Sequence, residues 1–185
     1  MIKKFINKLL GKSTPGTSGG KPHFGKREEV PASVHGINPE LVDRRAADVV
    51  ATLKQAGFEA YIVGGAVRDL LLGLRPKDFD VATNATPEQV KGLFRRAFII
   101  GKRFRIVHVV HGRGREHEVI EVSTFRAYLD NAAAGQVSGN EKTSKAALAG
   151  MQHAVDASGR VLRDNVWGPQ DEDATRRDFT VNAMY

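Results

Sequence analysis

The sequence contains no cysteine. Disulfides and thiolate–zinc centres are therefore excluded, and a reducing cytoplasm suits the chain. No apolar run approaches the length needed to cross a bilayer, and no internal repeat is present. Acidic residues are in deficit: 21 Asp and Glu stand against 28 Lys and Arg, a formal net charge of +7 and a pI near 9.8. That surplus of cations favours a polyanionic partner, although a basic tail on an ordinary enzyme gives the same sum. With 41% hydrophobic and 26% charged residues, the remainder has the balance of a globular protein. Its 185 residues suffice for one domain with a real core plus a tail.

The first residues, MIKKFINKLLGK, are basic and weakly amphipathic, with an apolar stretch too short for a signal peptide. A frayed basic terminus is the favoured reading, contact with an anionic membrane surface the alternative. Gly, Ser, Thr, Pro and Lys dominate from Gly11 to about Gly36. Residues 1–36 thus read as a flexible basic leader and 37–185 as the folded domain. Asn38 is expected to cap a helix with Pro39 in its first turn, and Leu41, Val42, Ala46, Val49, Val50 and Leu53 recur at helical spacing until Gly57.

A buried strand is expected over 58–63, then a Gly64-Gly65 turn and a helix from Ala66 to Leu72. A strand over 79–82 follows, and Thr86-Pro87-Glu88 announces a helix to about Phe94. Three strand-like runs come next, at 97–100, 105–110 and 118–125, and a short helix is expected over 172–176. Between Ala127 and Arg160 the chain turns small and polar without clear periodicity, the pattern of a mobile functional loop. The sequence breaks off at Tyr185 inside the apolar run FTVNAMY, which creates an expectation of further residues. The expected class is α+β, a sheet with helices on one face.

Asp78-Phe79-Asp80 is the strongest local signal. On a strand, residues two apart share a face, so both carboxylates project together while Phe79 enters the core. Such a pair repels itself unless a cation intervenes, and Mg²⁺ would leave coordination positions for substrate phosphates. Asp-x-Asp alone is commonly a solvated strand end. Upstream, however, Gly64-Gly65 allows backbone N–H groups to approach a phosphate, and Arg68 can reach the same anion. The competing reading is a packing turn with Arg68 and Asp69 as a surface pair.

Together these segments, IVGGAVRDLLLG and KDFDVATNATPEQV, resemble the head-domain signature of class II nucleotidyltransferases, the family of CCA-adding enzymes and bacterial poly(A) polymerases. The resemblance runs from about Val34 to Tyr185. It implies a polymerase-β-like palm, a mixed sheet bearing the carboxylates, with Asp78 and Asp80 as metal ligands and Glu121, in EVSTFR, as a third catalytic acid. Gly64, Gly65 and Arg68 would hold the triphosphate. Arg126 would contact triphosphate or act as a helper, and Arg177 and Asp178, in RRDFTVNA, would contact the ribose.

FIIGKRFRIVHVV and LRDNVWGPQDEDATRRDFT are similar to the poly(A) polymerase branch. There Lys102, Arg103 and Arg105 would offer a basic edge to triphosphate or primer RNA, and His108 would pack or hydrogen-bond within its strand. The expected activity is template-independent transfer of AMP from ATP to RNA 3′ ends, dependent on Mg²⁺, by a cytoplasmic monomer that does not act on DNA. A CCA-adding enzyme acting on tRNA is the nearest alternative, and a non-catalytic RNA-binding module the alternative of another class.

Overall fold

A computed structural model of the chain describes residues 27–112, 114, 117–127, 135–136, 153–155 and 161–185. It begins with a single-turn helix, α1 (Ala32–His35), inside the stretch read as leader. The long helix expected from Asn38 starts later. Asn38 Oδ1 accepts from the Glu40 N–H at 3.0 Å, but this caps only a 3₁₀ turn, Pro39–Leu41. Val42 is extended, and Asp43 Oδ1 accepts from the Arg45 N–H at 2.8 Å to start α2 (Arg44–Gln55). Leu41 and Val42 pack against the core from outside the helix. Their periodicity reported burial, not helical geometry.

The central sheet contains β1 (Ala60–Val63), β2 (Asp80–Thr83), β3 (Ala97–Ile100), β4 (Ile106–His111) and β5 (Glu118–Thr124). Helix α3 (Gly65–Leu71) follows β1, and α4 (Pro87–Leu93) follows β2. A reciprocal capping box between Thr86 and Gln89, with Pro87 behind the cap, starts α4. Strand order is β1-β2-β5-β4-β3. Only β2 and β5 run parallel among these neighbours, so the sheet is mixed.

Register explains the two faces. Ile62, Val81, Val122, Val107 and Ile99 stand opposite one another across the five strands. They meet Ala46, Val49 and Leu53 of α2, Ala66 and Leu70 of α3, and Val90 of α4 in one apolar cluster. The helices thus cover one face, as period-two alternation in the strands requires. The opposite face carries the row Val63, Asp80, Glu121, His108 and Phe98. Its β1 end is closed by Val63, Ala82 and Phe125 with Tyr61 and Tyr185. The Phe125 ring stacks 6.3 Å from Tyr61 and meets Tyr185 edge-on at 6.1 Å. Among the described residues no strand pairs beyond β3, and Phe98 and Ile100 are exposed there.

A second, three-stranded sheet joins β6 (Gly135–Gln136), β7 (His153–Val155) and β8 (Val161–Asp164). Two of these strands lie within the polar stretch between Ala127 and Arg160, where no periodicity signalled them. The rest of that stretch, with the expectation of mobility, lies outside the described residues. The sheet is tied to the β3–β4 turn: the Asp164 N–H donates to Arg103 O and the Arg105 N–H to Asn165 Oδ1, both at 3.1 Å. Helix α5 (Gln170–Thr175) and a 3₁₀ turn at Thr180–Asn182 complete the fold. Among the described residues no helix is long and apolar enough to cross a membrane.

Gly101 makes the β3–β4 turn possible. Its φ is +83°, and a Cβ there would stand 2.1 Å from Phe104 O, a backbone atom that cannot swing aside. Gly101→Ala should therefore destabilise the chain by about 2 kcal/mol or more. Thermal unfolding checks this; an unchanged midpoint would show that the turn adapts freely.

Candidate active site

Asp80 opens β2 and Asp78 precedes it, both exposed, while Phe79 between them is buried. Parallel pairing places Glu121 of β5 directly opposite Asp80. Although Asp80 reaches solvent, partial desolvation raises its carboxyl above the ordinary value; the negative charges of Glu121 and Asp78 push the same way, and Arg177 opposes them. His108 Nε2, on the next strand, lies 3.3 Å from Glu121 Oε1 without the alignment of a hydrogen bond. Asp80 and Glu121 are thus brought together on one face, Asp78 adds its charge to that of Asp80, and Arg177 is the opposing cation.

The Gly64-Gly65 turn borders this face. Gly64 has φ +75° and ψ −131°, a conformation open to glycine alone. Its N–H donates to Met184 O at 2.9 Å, and a Cβ there would lie 3.4 Å from Asn182 O and 3.6 Å from an Arg177 nitrogen. The C-terminal segment is therefore seated against the turn. Arg68 reaches back over Gly65, Nε donating to Asp69 Oδ1 at 2.8 Å and Nη1 to Asn182 Oδ1 at 3.3 Å. Its fork is thus engaged by Asp69, the pairing weighed above as the alternative.

Arg177 is held by three acceptors: Asp173 Oδ2 at 3.2 Å, Tyr185 Oη at 3.3 Å and Asn182 O at 3.4 Å. Asp173 is buried and serves as the hub. It also accepts from the Tyr185 hydroxyl at 2.5 Å and from the Arg126 N–H at 2.9 Å. Burial, with Asp173 beside it, pushes the Tyr185 phenol well above its ordinary value, so it remains a donor. Asp178 is exposed, and its Oδ1 accepts from the Phe179 N–H.

The remaining predicted residues gather elsewhere, around the β3–β4 turn. The guanidiniums of Arg103 and Arg126 sit 5.1 and 4.8 Å from the Phe104 ring centroid. Arg105 pairs with Glu88 at the start of α4, at 2.5 Å, and Lys102 is exposed. Sequence reasoning missed Asp173, Asn182 and Tyr185. Asp173 stands four residues before Arg177, but nothing in QDEDATRRD separates it from its acidic neighbours without knowledge of which carboxylate is buried.

Among the described residues no group of three or more His, Cys, Asp or Glu side chains converges as a complete metal site. Two carboxylates on one strand end still suit Mg²⁺, which takes few protein ligands and completes its shell with water and phosphate oxygens. The raised Asp80 carboxyl accords with this: desolvation first, and then the charges of Glu121 and Asp78, disfavour its ionised form.

A family model for the poly A polymerase head domain matches residues 60–185. "Poly(A) polymerase I" of Haemophilus influenzae is 48% identical over 157 residues, 84% of this chain and 30% of that protein. The "CCA-adding enzyme" of Lactobacillus helveticus is 36% identical over 140 residues, 76% of this chain and 28% of that one. The chain thus spans about a third or less of these relatives' lengths. A solved CCA-adding enzyme, apo form II, superposes with a TM-score of 0.50 at 22% identity over 78% of this chain and 29% of that one, a likeness of fold.

Two outcomes follow from the electrostatics. A carboxyl raised in the folded state adds stability that is fully present below its unfolded value near 3.8 and is lost as pH rises through the folded value. In metal-free buffer, Asp80→Asn should therefore melt higher than the parent at neutral pH and match it below about pH 3.8; equal midpoints at pH 7 would refute the charge strain. Asp173→Ala, by stranding Arg177 and Tyr185, should cost about 3 kcal/mol by denaturant unfolding; a loss under 1 kcal/mol would deny it the role of hub.

Proposed function

This chain belongs to the poly(A) polymerase head-domain family, and from that premise we propose that it is the catalytic head of an enzyme adding AMP from ATP to RNA 3′ ends. The single observation carrying this reading is the placement of Asp80 opposite Glu121, under charge strain, beside a Gly64 turn conformationally open only to glycine. The greater identity to the poly(A) polymerase relative than to the CCA-adding one supports the choice of ATP.

In the proposed reaction the RNA 3′-oxygen attacks the α-phosphorus of ATP. A new P–O bond forms, the bond to the β-phosphate oxygen breaks, and pyrophosphate leaves while the hydroxyl proton passes to solvent. Asp78 and Asp80 would hold Mg²⁺, which when bound neutralises phosphate oxygens and acidifies the attacking hydroxyl. Glu121 strengthens the negative field that holds the cation. Gly64 and Gly65 give the triphosphate close access to the backbone, with Arg68 exchanging Asp69 for a phosphate. Arg177 sits at the junction of carboxylates and turn, fixed by Asp173, and with Asp178 would face the ribose. Lys102, Arg103, Arg105 and Arg126 supply positive charge on the RNA side. No covalent intermediate is needed, since positioning and electrostatics carry the catalysis. We place the enzyme in the cytoplasm as a monomer acting on RNA and not DNA.

The test is extension of a generic single-stranded RNA by the full-length protein with Mg²⁺ and each ribonucleoside triphosphate in turn. A long ladder with ATP alone is expected. Asp78→Ala and Asp80→Ala should each lower it about a thousandfold, the equivalent of several kcal/mol of lost transition-state stabilisation. A product stopping after a few nucleotides, requiring CTP and a tRNA acceptor, would move the chain to the CCA-adding reading. RNA binding without extension would leave a non-catalytic module.

A further inference from the structure

The open face of the sheet is apolar where the fold gives no reason for it. Phe98 of the edge strand β3 is 54% exposed, and Ile100, two residues on, is 43% exposed. Their neighbours Ala97 and Ile99 turn toward the helices, so Phe98 and Ile100 stand on the side of the sheet that carries the carboxylates. Phe98 lies in the same row as Asp80 and Glu121: His108 pairs with Glu121 on one side and with Phe98 on the other. A large exposed ring continuous with a charged site marks a contact for a partner.

The reaction's direction identifies that partner. In a phosphoryl displacement the attacking and leaving oxygens lie roughly in line. With pyrophosphate held on the Gly64 and Arg68 side, beside β1, the RNA hydroxyl must enter from the β5 side. The strand behind it then crosses β4 and β3. Neighbouring strands are spaced about 4.8 Å apart, so Phe98, three strands from Asp80, is about 14 Å away. A stacked strand advances about 3.4 Å per nucleotide and an extended one more, which brings roughly the second to fourth nucleotide from the 3′ end over the ring.

We propose that Phe98, with Ile100 beside it, is a stacking platform for an RNA base a few nucleotides upstream of the growing 3′ end. The inference rests on the nucleotidyl-transfer reading of the site. Ring stacking accepts any base, which suits an enzyme that reads no template on its primer. Lys102, exposed on the turn immediately after β3, provides for a backbone phosphate. Position and chemistry therefore agree on one occupant, single-stranded RNA.

The experiment places 2-aminopurine singly at each of the last five positions of an oligoadenylate and follows its fluorescence on binding to the full-length protein. Quenching is expected at one of the second to fourth positions, abolished in Phe98→Ala and retained in Phe98→Tyr. Phe98→Ala should also raise KM for RNA on the order of tenfold, as loss of one stacked base implies, while KM for ATP stays unchanged. Unaltered quenching and RNA KM in Phe98→Ala would overturn the proposal. So would a change in oligomeric state or melting temperature without any change in the RNA parameters, which would give the patch to another copy or another part of the chain. Wild-type protein that fails to extend RNA with ATP would refute the functional reading instead, and the quenching series still reports on Phe98 by itself.

Discussion

Two carboxylates face each other across one sheet face because backbone pairing leaves them nowhere else to go. Asp80 and Glu121 are register partners on the parallel strands β2 and β5, and Asp78 lies two residues from Asp80. Their mutual repulsion is resisted by the other face, where Val81 and Val122, the next pair in the ladder, are almost wholly buried. Slipping the register by one residue would bury the acids among the helices and expose the valines, so the apolar core enforces an arrangement that electrostatics opposes. The strain is local, and the burial that outweighs it is spread over α2, α3, α4 and five strands.

The same logic extends to the chain's last described residues. Gly64 donates to Met184, Arg68 to Asn182, and Arg177 bonds Asp173 and Tyr185. Segments more than a hundred positions apart thus share one border of the site. Asp173 allows this by satisfying a half-buried guanidinium, a phenol and a backbone N–H at once. Arg177 is thereby kept charged beside Asp80 without being neutralised by it. A cation tied to Asp80 would remove the repulsion and with it the pull on the metal ion proposed to bind there. One tied to Asp173 moderates the repulsion and leaves the pull in place.

Much of the fold was legible because strands and short helices here follow local rules. The capping box at Thr86, the glycine after the first strand and the apolar alternation of β3, β4 and β5 each carry a signal within a few residues. The acids at 78 and 80 were expected together from a period of two, although the strand opens only at Asp80, whereas Glu121 was expected from the family resemblance and not from a local pattern. What escaped reading depends on distance. The start of α2 turned on whether Asn38 or Asp43 captured the first free N–H, a choice made by the packing of Leu41 and Val42. Strands β6 and β7 are short and find their partners in β8, which no local pattern encodes. Asp173 became a hub only because Arg126, Arg177 and Tyr185 converge on it.

Polarity along the open face follows from these constraints together. The β1 end is sealed by Tyr61, Phe125 and Tyr185, and its adjoining turn is braced by the C-terminal segment. That end is rigid and crowded, suited to a compact anion whose position must not vary. At the β3 end the strand has no further neighbour among the described residues, its large side chains face solvent, and the nearby arginines lie against Phe104 or Glu88. In the proposed reaction such an edge would tolerate a chain that advances after each addition, because stacking and screened charge hold a polymer without fixing its register. A site with one closed end and one open end, and its acids between them, would impose a direction on the proposed transfer before any substrate arrives.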